Sequence, residues 1–160
     1  MPGVMIAHMG VTDEIHILLI EDNPGDVRLF REAMKECTAP CSIQVARDGE
    51  EAKNMLFARR TGSDSLPDLI VLDLNLPKVT GDQILLLLKA DNELRDIPVL
   101  ILSSSSDPSE IRRCYENHAA CYLVKPSDLG DYMRLVQAWG NFWMSLATLP
   151  PRRPTLRARA

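Results

Sequence analysis

Short apolar runs alternate with segments of helical spacing along most of the chain, and this alternation limits the possible folds more than any other feature. Runs rich in branched aliphatic residues predict five β-strands, at residues 15–20, 42–46, 68–72, 98–102 and 121–124. Segments with helical periodicity predict five helices, at residues 26–36, 50–60, 82–90, 108–117 and 129–146. Because the central runs are apolar throughout, the strands should be buried on both faces, as in a parallel sheet covered by helices. The predicted fold is α/β and doubly wound.

Length and composition are those of one globular domain. The chain has 160 residues, of which 46% are hydrophobic, and no apolar run approaches the roughly 18 residues of a membrane span. We therefore expect no membrane contact and a cytoplasmic location. We assign residues 1–12 to a flexible segment, 13–149 to the folded domain and 150–160, rich in Pro and Arg, to a disordered tail.

The net charge of the chain argues against nucleic-acid binding, and the spacing of its cysteines argues against a zinc site. The formal net charge is −4, and the last nine residues hold four arginines, so the rest of the chain is more acidic still and does not favour nucleic-acid binding. The four cysteines show neither CxxC spacing nor a His at zinc-finger distance, so we interpret them as reduced thiols. They are Cys37, Cys41, Cys114 and Cys121.

Chemically active side chains terminate four of the five predicted strands. The first strand ends in Glu21 and Asp22, the third in Asp73, the fourth in Ser103 and the fifth in Lys125. Any one of these acids alone is more often a solvated turn or helix cap, and a lone lysine usually faces solvent. The ligand site of an open parallel sheet lies at the carboxyl ends of its strands, so the combination predicts a common site.

The residue types at this edge indicate metal-dependent phosphoryl chemistry. Three neighbouring carboxylates repel one another unless a cation neutralises them, and all-oxygen ligation favours Mg²⁺ or Mn²⁺. With such an ion bound, one aspartate can act as a nucleophile toward a phosphoryl group, and the amine and hydroxyl can bind the phosphoryl oxygens. The pattern thus predicts a phosphoacceptor.

The motifs resemble those of the response-regulator receivers of two-component signalling over about residues 15–146. They are Leu-Leu-Ile-Glu-Asp-Asn after the first strand, Leu-Asp-Leu-Asn-Leu-Pro after the third with Gly81 beyond it, Ser103, and Tyr-Leu-Val-Lys-Pro at the fifth. The resemblance implies a flavodoxin-like sheet in the order 2-1-3-4-5. It also implies that Asp73 is the phosphoacceptor and that the chain is a switch and not an enzyme beyond its own phosphorylation and dephosphorylation.

Further roles follow from the same resemblance. Glu21, Asp22, Asp73 and the backbone carbonyl of Asn75 would hold Mg²⁺, with Glu21 acting through water. Ser103 and Lys125 would bind the phosphoryl oxygens, Tyr122 would be the aromatic switch coupled to Ser103, and Lys125–Pro126 would be a cis peptide. Two residues depart from the common pattern, because Glu21 replaces an Asp and Ser103 stands where Thr is frequent. The tyrosine could equally be an ordinary core or edge aromatic.

The C-terminal segment is similar to that of small single-domain regulators that partner phytochrome histidine kinases. This similarity implies a phytochrome-type kinase as partner and a homodimer. The last predicted helix also has more apolar surface than one core-facing stripe requires, which favours a partner surface over additional core. The residues of this predicted interface are Trp139, Phe142, Trp143 and Leu146.

Three other functions fit these residues less well. A dehalogenase-type phosphatase needs a second Asp two positions after its nucleophile, where this chain has Asn75. A flavin or nucleotide carrier binds phosphate after the first strand, where Glu21 and Asp22 would repel it. A pseudo-receiver that keeps the fold without phosphorylation is disfavoured because every site residue is present.

Overall fold

The computed structural model of the chain describes residues 14–58 and 65–153. Every predicted strand and helix is found among the described residues, with bounds shifted by a few residues. Residues 59 and 60 of the second predicted helix lie outside the described residues. The strands are β1 (Ile15–Ile20), β2 (Cys41–Ala46), β3 (Leu69–Leu72), β4 (Val99–Ser103) and β5 (Cys121–Val124). The helices are α1 (Pro24–Met34), α2 (Gly49–Phe57), α3 (Gly81–Ala90), α4 (Pro108–Glu116) and α5 (Leu129–Asn141). The helix predicted over 129–146 changes character near its end, because a π-helix (Phe142–Leu146) continues α5.

The five strands form one parallel sheet in the order β2-β1-β3-β4-β5, which confirms the predicted topology. Side chains of β3 alternate between two cores, with Leu69 and Val71 on one face and Ile70 and Leu72 on the other. Helices α1 and α5 cover the first face, and α2, α3 and α4 contribute to the core on the second. A strand covered on both faces has no solvent side, which explains why its sequence is apolar throughout.

The first helix begins at Pro24, two residues before the segment with helical periodicity, because Asn23 caps its N-terminus. Asn23 has an extended backbone, and its side chain accepts hydrogen bonds from the backbone N–H groups of Gly25 and Asp26. Pro24 occupies the first helical position, where its missing N–H removes no hydrogen bond. The capped N-terminus of α1 therefore lies directly after β1, at the carboxyl edge of the sheet.

Trp139 belongs to the core of the domain, which corrects its place in the predicted interface. Its side chain is 7% exposed and its ring centroid lies 5.7 Å from that of Phe30 on α1. By contrast, Phe142 is 50% and Leu146 is 77% exposed, while Trp143 is partly buried beside the core that α1 and α5 share. Because α1 packs against α5, the Trp139 side chain is buried and does not belong to the exposed apolar surface of the last helix.

The described chain ends on the amino edge of the sheet. Arg152 donates to both carboxylate oxygens of Asp68 and to the backbone carbonyl of Glu14, and Arg153 forms an ion pair with Asp96. Residues 154–160 of the predicted tail and residues 1–12 of the predicted N-terminal segment lie outside the described residues. Within residues 14–58 and 65–153, no helix has the length and apolar character needed to cross a bilayer.

Candidate functional site

Backbone hydrogen bonds place three of the predicted site residues one step beyond their strands. The amide of Glu21 donates to Ala46 O, that of Asp73 to Ile20 O and that of Lys125 to Ser103 O. These bonds extend the parallel ladders, so the side chains leave the sheet at its carboxyl edge. This is the location expected for a ligand site in an open α/β sheet.

The structure brings the three predicted acids together. Carboxylate oxygens of Glu21, Asp22 and Asp73 all lie within 4.8 Å of one another. Glu21 and Asp73 are buried, whereas Asp22 is exposed, so the group extends from the protein interior to the surface. Such close carboxylates need positive charge nearby to remain ionised together.

Lys125 supplies positive charge to this group. Its ammonium nitrogen lies 2.6 Å from Oε2 of Glu21 and 3.0 Å from Oδ2 of Asp73. A third carboxylate, that of Asp26, has its Oδ2 atom 2.9 Å from the same nitrogen. A lysine ammonium has three N–H donors, and these three contacts satisfy them.

Asp26 is the site residue that sequence reasoning missed. It lies in the first turn of α1, which follows the strand that carries Glu21 and Asp22. A carboxylate in the first turn after such a strand must lie near the same edge of the sheet, which is the signal that could have identified it. Favourable interaction with the helix N-terminus accounts for an acid at this position without any ligand, so the signal alone was not decisive.

Burial and the ion pairs act in opposite directions on the ionisation of the site. Burial raises the pKa of Glu21 to about 7, and the hydrogen bond and charge of Lys125 oppose this effect only in part. Burial alone would lower the pKa of Lys125, but its ion pairs with Glu21 and Asp26 and the charge of Asp73 raise it above its usual value. The lysine is therefore cationic, and additional positive charge nearby would favour the ionised form of Glu21.

The loop after Asp73 is held against the sheet. The amide of Asn75 donates to Oδ1 of Asp73 at 3.0 Å, and the amide of Gly81 donates to Leu74 O at 3.1 Å. A Cβ atom at Gly81 would lie 2.4 Å from the carbonyl oxygen of Asp73, closer than real Cβ contacts occur. Only glycine lets α3 begin this close to Asp73, which explains the Gly81 of the sequence motif.

Ser103 and Tyr122 are linked through the loop that follows β4. Ser103 is buried, and its hydroxyl accepts a hydrogen bond from the amide of Ser105. The hydroxyl of Tyr122 donates to the carbonyl oxygen of Ser105 at 2.9 Å, and its ring is partly buried against the core under α2, α3 and α4. The two predicted switch residues thus contact the same loop residue, Ser105.

The peptide bond between Lys125 and Pro126 is trans, as are the others in the part of the chain that the structure describes. The cis bond that the resemblance implied is therefore not found. Trans is the intrinsically favoured isomer of such a bond, by about 0.5–1 kcal/mol.

The donor set fits a hard divalent cation. Glu21, Asp22 and Asp73 each offer a carboxylate oxygen, and this group contains no thiolate or imidazole that would favour zinc. Burial of two of the carboxylates makes the free energy of adding positive charge more favourable than at an exposed acidic patch. The backbone carbonyl of Asn75, two residues after Asp73, stays a predicted fourth ligand.

A family comparison decides what kind of domain this is. Residues 17–137 match the model of the response regulator receiver domain. The chain belongs to this family. Receiver domains are phosphoacceptor switches and not classical enzymes, so the phosphatase and carrier alternatives no longer apply to this receiver.

Individual members of the family show which response regulators this receiver resembles. Response regulator Rcp1 of Synechocystis sp. is 39% identical over 137 residues, covering 84% of the receiver and 92% of Rcp1. The crystal structure of the phosphorylated cyanobacterial phytochrome response regulator RcpA matches with a TM-score of 0.81 at 41% identity, over 86% of the receiver and 99% of RcpA. The structure of the Mn²⁺-bound form of Rcp1 matches with a TM-score of 0.79 at 38% identity, over 86% and 99% of the two chains. The receiver is therefore similar to regulators of phytochrome signalling.

Proposed function

We propose that this receiver accepts a phosphoryl group on Asp73 from a histidine kinase and signals by a change in conformation and dimerisation. The observation that carries the proposal is the position of Asp73, buried at the carboxyl edge of the sheet, beside Glu21 and Asp22 and in contact with the ammonium of Lys125. This set contains an acid nucleophile, ligands for a cation and a donor for phosphoryl oxygens.

The reaction uses few groups. A carboxylate oxygen of Asp73 forms a bond to phosphorus while the bond from phosphorus to the donor breaks, and the leaving group keeps the electron pair. Lys125 and Ser103 would donate hydrogen bonds to the phosphoryl oxygens, and no proton transfer from the lysine is required. Oxygen ligands from Glu21, Asp22, Asp73 and Asn75 would hold Mg²⁺, or Mn²⁺, which would offset negative charge as the phosphoryl group is transferred.

The proposed kinase is of the phytochrome type. Support comes from the similarity to the cyanobacterial phytochrome regulator RcpA and to the bacteriophytochrome response regulator AtBRR, which is 38% identical and covers 82% of this receiver with a TM-score of 0.62. Phosphotransfer from a phytochrome-type kinase to this chain would identify the partner. Transfer from unrelated histidine kinases at equal rates would contradict the assignment.

We further propose that the receiver forms a homodimer through the end of α5 and the π-helix. Phe142 and Leu146 are exposed on this segment, and Trp143 is partly buried beside them, with its ring centroid 5.5 Å from that of Phe142. Large exposed apolar side chains clustered in this way are typical of protein interfaces. A second copy of the chain would cover them.

Phosphorylation can be tested without a kinase. Incubation with Mg²⁺ and acetyl phosphate should label the wild-type chain with an acyl phosphate that is stable in acid and labile to base and hydroxylamine. Asp73→Asn should abolish labelling. The control is Asp96→Asn, which replaces an exposed acid at the amino edge of the sheet and should leave labelling intact. A wild-type chain that remains unlabelled by acetyl phosphate and by phytochrome-type kinases would overturn the proposal.

A further inference from the structure

Asp26 contacts the amine of the site but is not one of the clustered metal-ligand candidates. Its Oδ2 atom lies 2.9 Å from the nitrogen of Lys125. The carboxylates that gather within 4.8 Å of one another are those of Glu21, Asp22 and Asp73. Asp26 thus interacts with the site through its contact with Lys125.

The local structure fixes where this carboxylate lies. Asp26 is the third residue of α1, and the cap residue Asn23 accepts hydrogen bonds from the amides of Gly25, at 2.8 Å, and of Asp26, at 3.3 Å. Pro24 restricts the backbone at the first helical position. An aspartate side chain has only two torsions, so a fixed backbone leaves its carboxylate little freedom.

The three acceptors of the Lys125 ammonium differ in what the proposed reaction does to them. Asp73 becomes an acyl phosphate, and Glu21 is a candidate metal ligand, so the charge or the partners of both change. Asp26 keeps its charge and its place on α1 throughout. It is therefore the acceptor able to hold the ammonium while one N–H group turns from Oδ2 of Asp73 to a phosphoryl oxygen.

We infer that Asp26 is a positioning residue for phosphorylation of Asp73, acting by holding the ammonium group of Lys125. This inference rests on the proposed function. The lysine stays protonated throughout, the Asp73 oxygen gains the bond to phosphorus, and acetate leaves with the electron pair when acetyl phosphate is the donor. Asp26 touches neither the donor nor the phosphorus.

The first test is the rate of Asp73 labelling by acetyl phosphate at saturating Mg²⁺. Asp26→Asn preserves the shape of the side chain but replaces a charge-assisted hydrogen bond by a weaker neutral one, so the maximal rate should fall about tenfold. The acetyl phosphate concentration that gives half the maximal rate should not rise, because one negative charge near the anionic donor has been removed.

A matched control separates this effect from helix stabilisation. Asp131 is the third residue of α5, as Asp26 is of α1, and it also follows a glycine. The side chain of Asp128 caps its helix, and Asp131 forms an ion pair with Arg134 and not with the site. Asp131→Asn removes the same favourable charge from a helix N-terminus and should leave the labelling rate unchanged. Asp26→Glu, which restores the charge, should recover part of the lost rate.

The second test asks whether Asp26 acts through the lysine. In a Lys125→Ala background, Asp26→Asn should have no further effect on the rate, because the group it holds is gone. A full additional tenfold loss in that background would overturn the inference, and so would a wild-type rate in Asp26→Asn alone. In either case the proposed function would still be supported if Asp73 of the wild type is labelled.

A third measurement does not depend on phosphorylation. An ammonium group held by three carboxylates exchanges its protons slowly with water, so ¹⁵N spectra of the lysine side chains should show a protected signal for Lys125. The signal should weaken in Asp26→Asn and persist in Asp131→Asn; an unchanged signal in both would overturn the inference. If the wild type is never labelled although the signal depends on Asp26, the proposed function fails and the role in the reaction fails with it.

Discussion

The ammonium nitrogen of Lys125, after β5, lies 2.6 Å from Oε2 of Glu21, after β1, although β3 and β4 separate these two strands in the sheet. The contact therefore spans the ends of the central strands and passes beside Asp73. Before a metal ion binds, the lysine neutralises part of the charge that the ion would otherwise neutralise. A metal ion held by Glu21 and Asp73 would therefore share their carboxylates with the lysine.

Lys125→Ala should bind Mg²⁺ or Mn²⁺ at least as tightly as the wild type does. The substitution removes a positive charge next to the carboxylates and removes no ligand, while labelling of Asp73 should become slower because a phosphoryl contact is lost. Calorimetric titration with Mn²⁺ gives the affinity of both proteins. A large loss of affinity would show that the lysine supports the metal site directly.

Gly81→Ala should destabilise the domain and impair labelling of Asp73. The new Cβ atom would lie 2.4 Å from the carbonyl oxygen of Asp73 and 2.6 Å from Cα of Leu74, so the loop must move. Overpacking of this kind costs about 1–3 kcal/mol. Urea unfolding measures the loss of stability. Gly130→Ala is the control, because the atom nearest to its new Cβ would be the side-chain oxygen of Asp128 at 3.1 Å. This control should change stability little. Equal stabilities of the two variants would contradict the tight contact.

Arg152→Met should lower stability at neutral pH and have less effect in acid. Burial alone would raise the pKa of Asp68, but hydrogen bonds from Arg152 and from the His16 amide outweigh it and hold the pKa below its usual value. A carboxyl group whose pKa is lower in the folded than in the unfolded state stabilises the fold above about pH 4, and this contribution disappears as the pH falls through the folded-state pKa. The variant should therefore lose about 1 kcal/mol at pH 7, and this difference should shrink as the pH falls below about 4.

Urea midpoints of the two proteins across this pH range test the linkage. Arg134→Met is a suitable comparison because Arg134 also pairs with an aspartate, Asp131, but both side chains are more than half exposed. Such surface pairs contribute little, so this control should differ from the wild type by less than about 0.5 kcal/mol at either pH. A constant difference for Arg152→Met from neutral to acid pH would exclude a role for ionised Asp68.

Replacing Phe142 and Leu146 together by serine should reduce dimerisation. Both side chains are exposed on the π-helix, so the change should affect association far more than folding. Sedimentation velocity over a range of concentrations, with and without phosphorylation, measures the association. Leu86→Ser, at a comparably exposed leucine on α3, is the control; a wild type that stays monomeric at high concentration in both states would remove the dimer proposal.

The sequence by itself determined the fold class, the strands and the identity of the residues at their ends. Continuous apolar runs such as Leu69–Leu72 can be buried on both sides only in a sheet covered by two helical layers, and this requirement is local enough to be read from the chain. Once the sheet is parallel, Glu21, Asp73, Ser103 and Lys125 must lie on one edge, whatever the details of packing.

Only the tertiary structure decided which partners these residues have and which apolar side chains remain exposed. The contact of Asp26 with Lys125 depends on how closely α1 approaches the end of β5, and the burial of Trp139 depends on its packing against Phe30. Arg152 meets Asp68 across 84 positions of sequence. Such contacts arise from the relative placement of whole elements, which is set by the sum of many packing interactions and leaves no periodic pattern in the sequence.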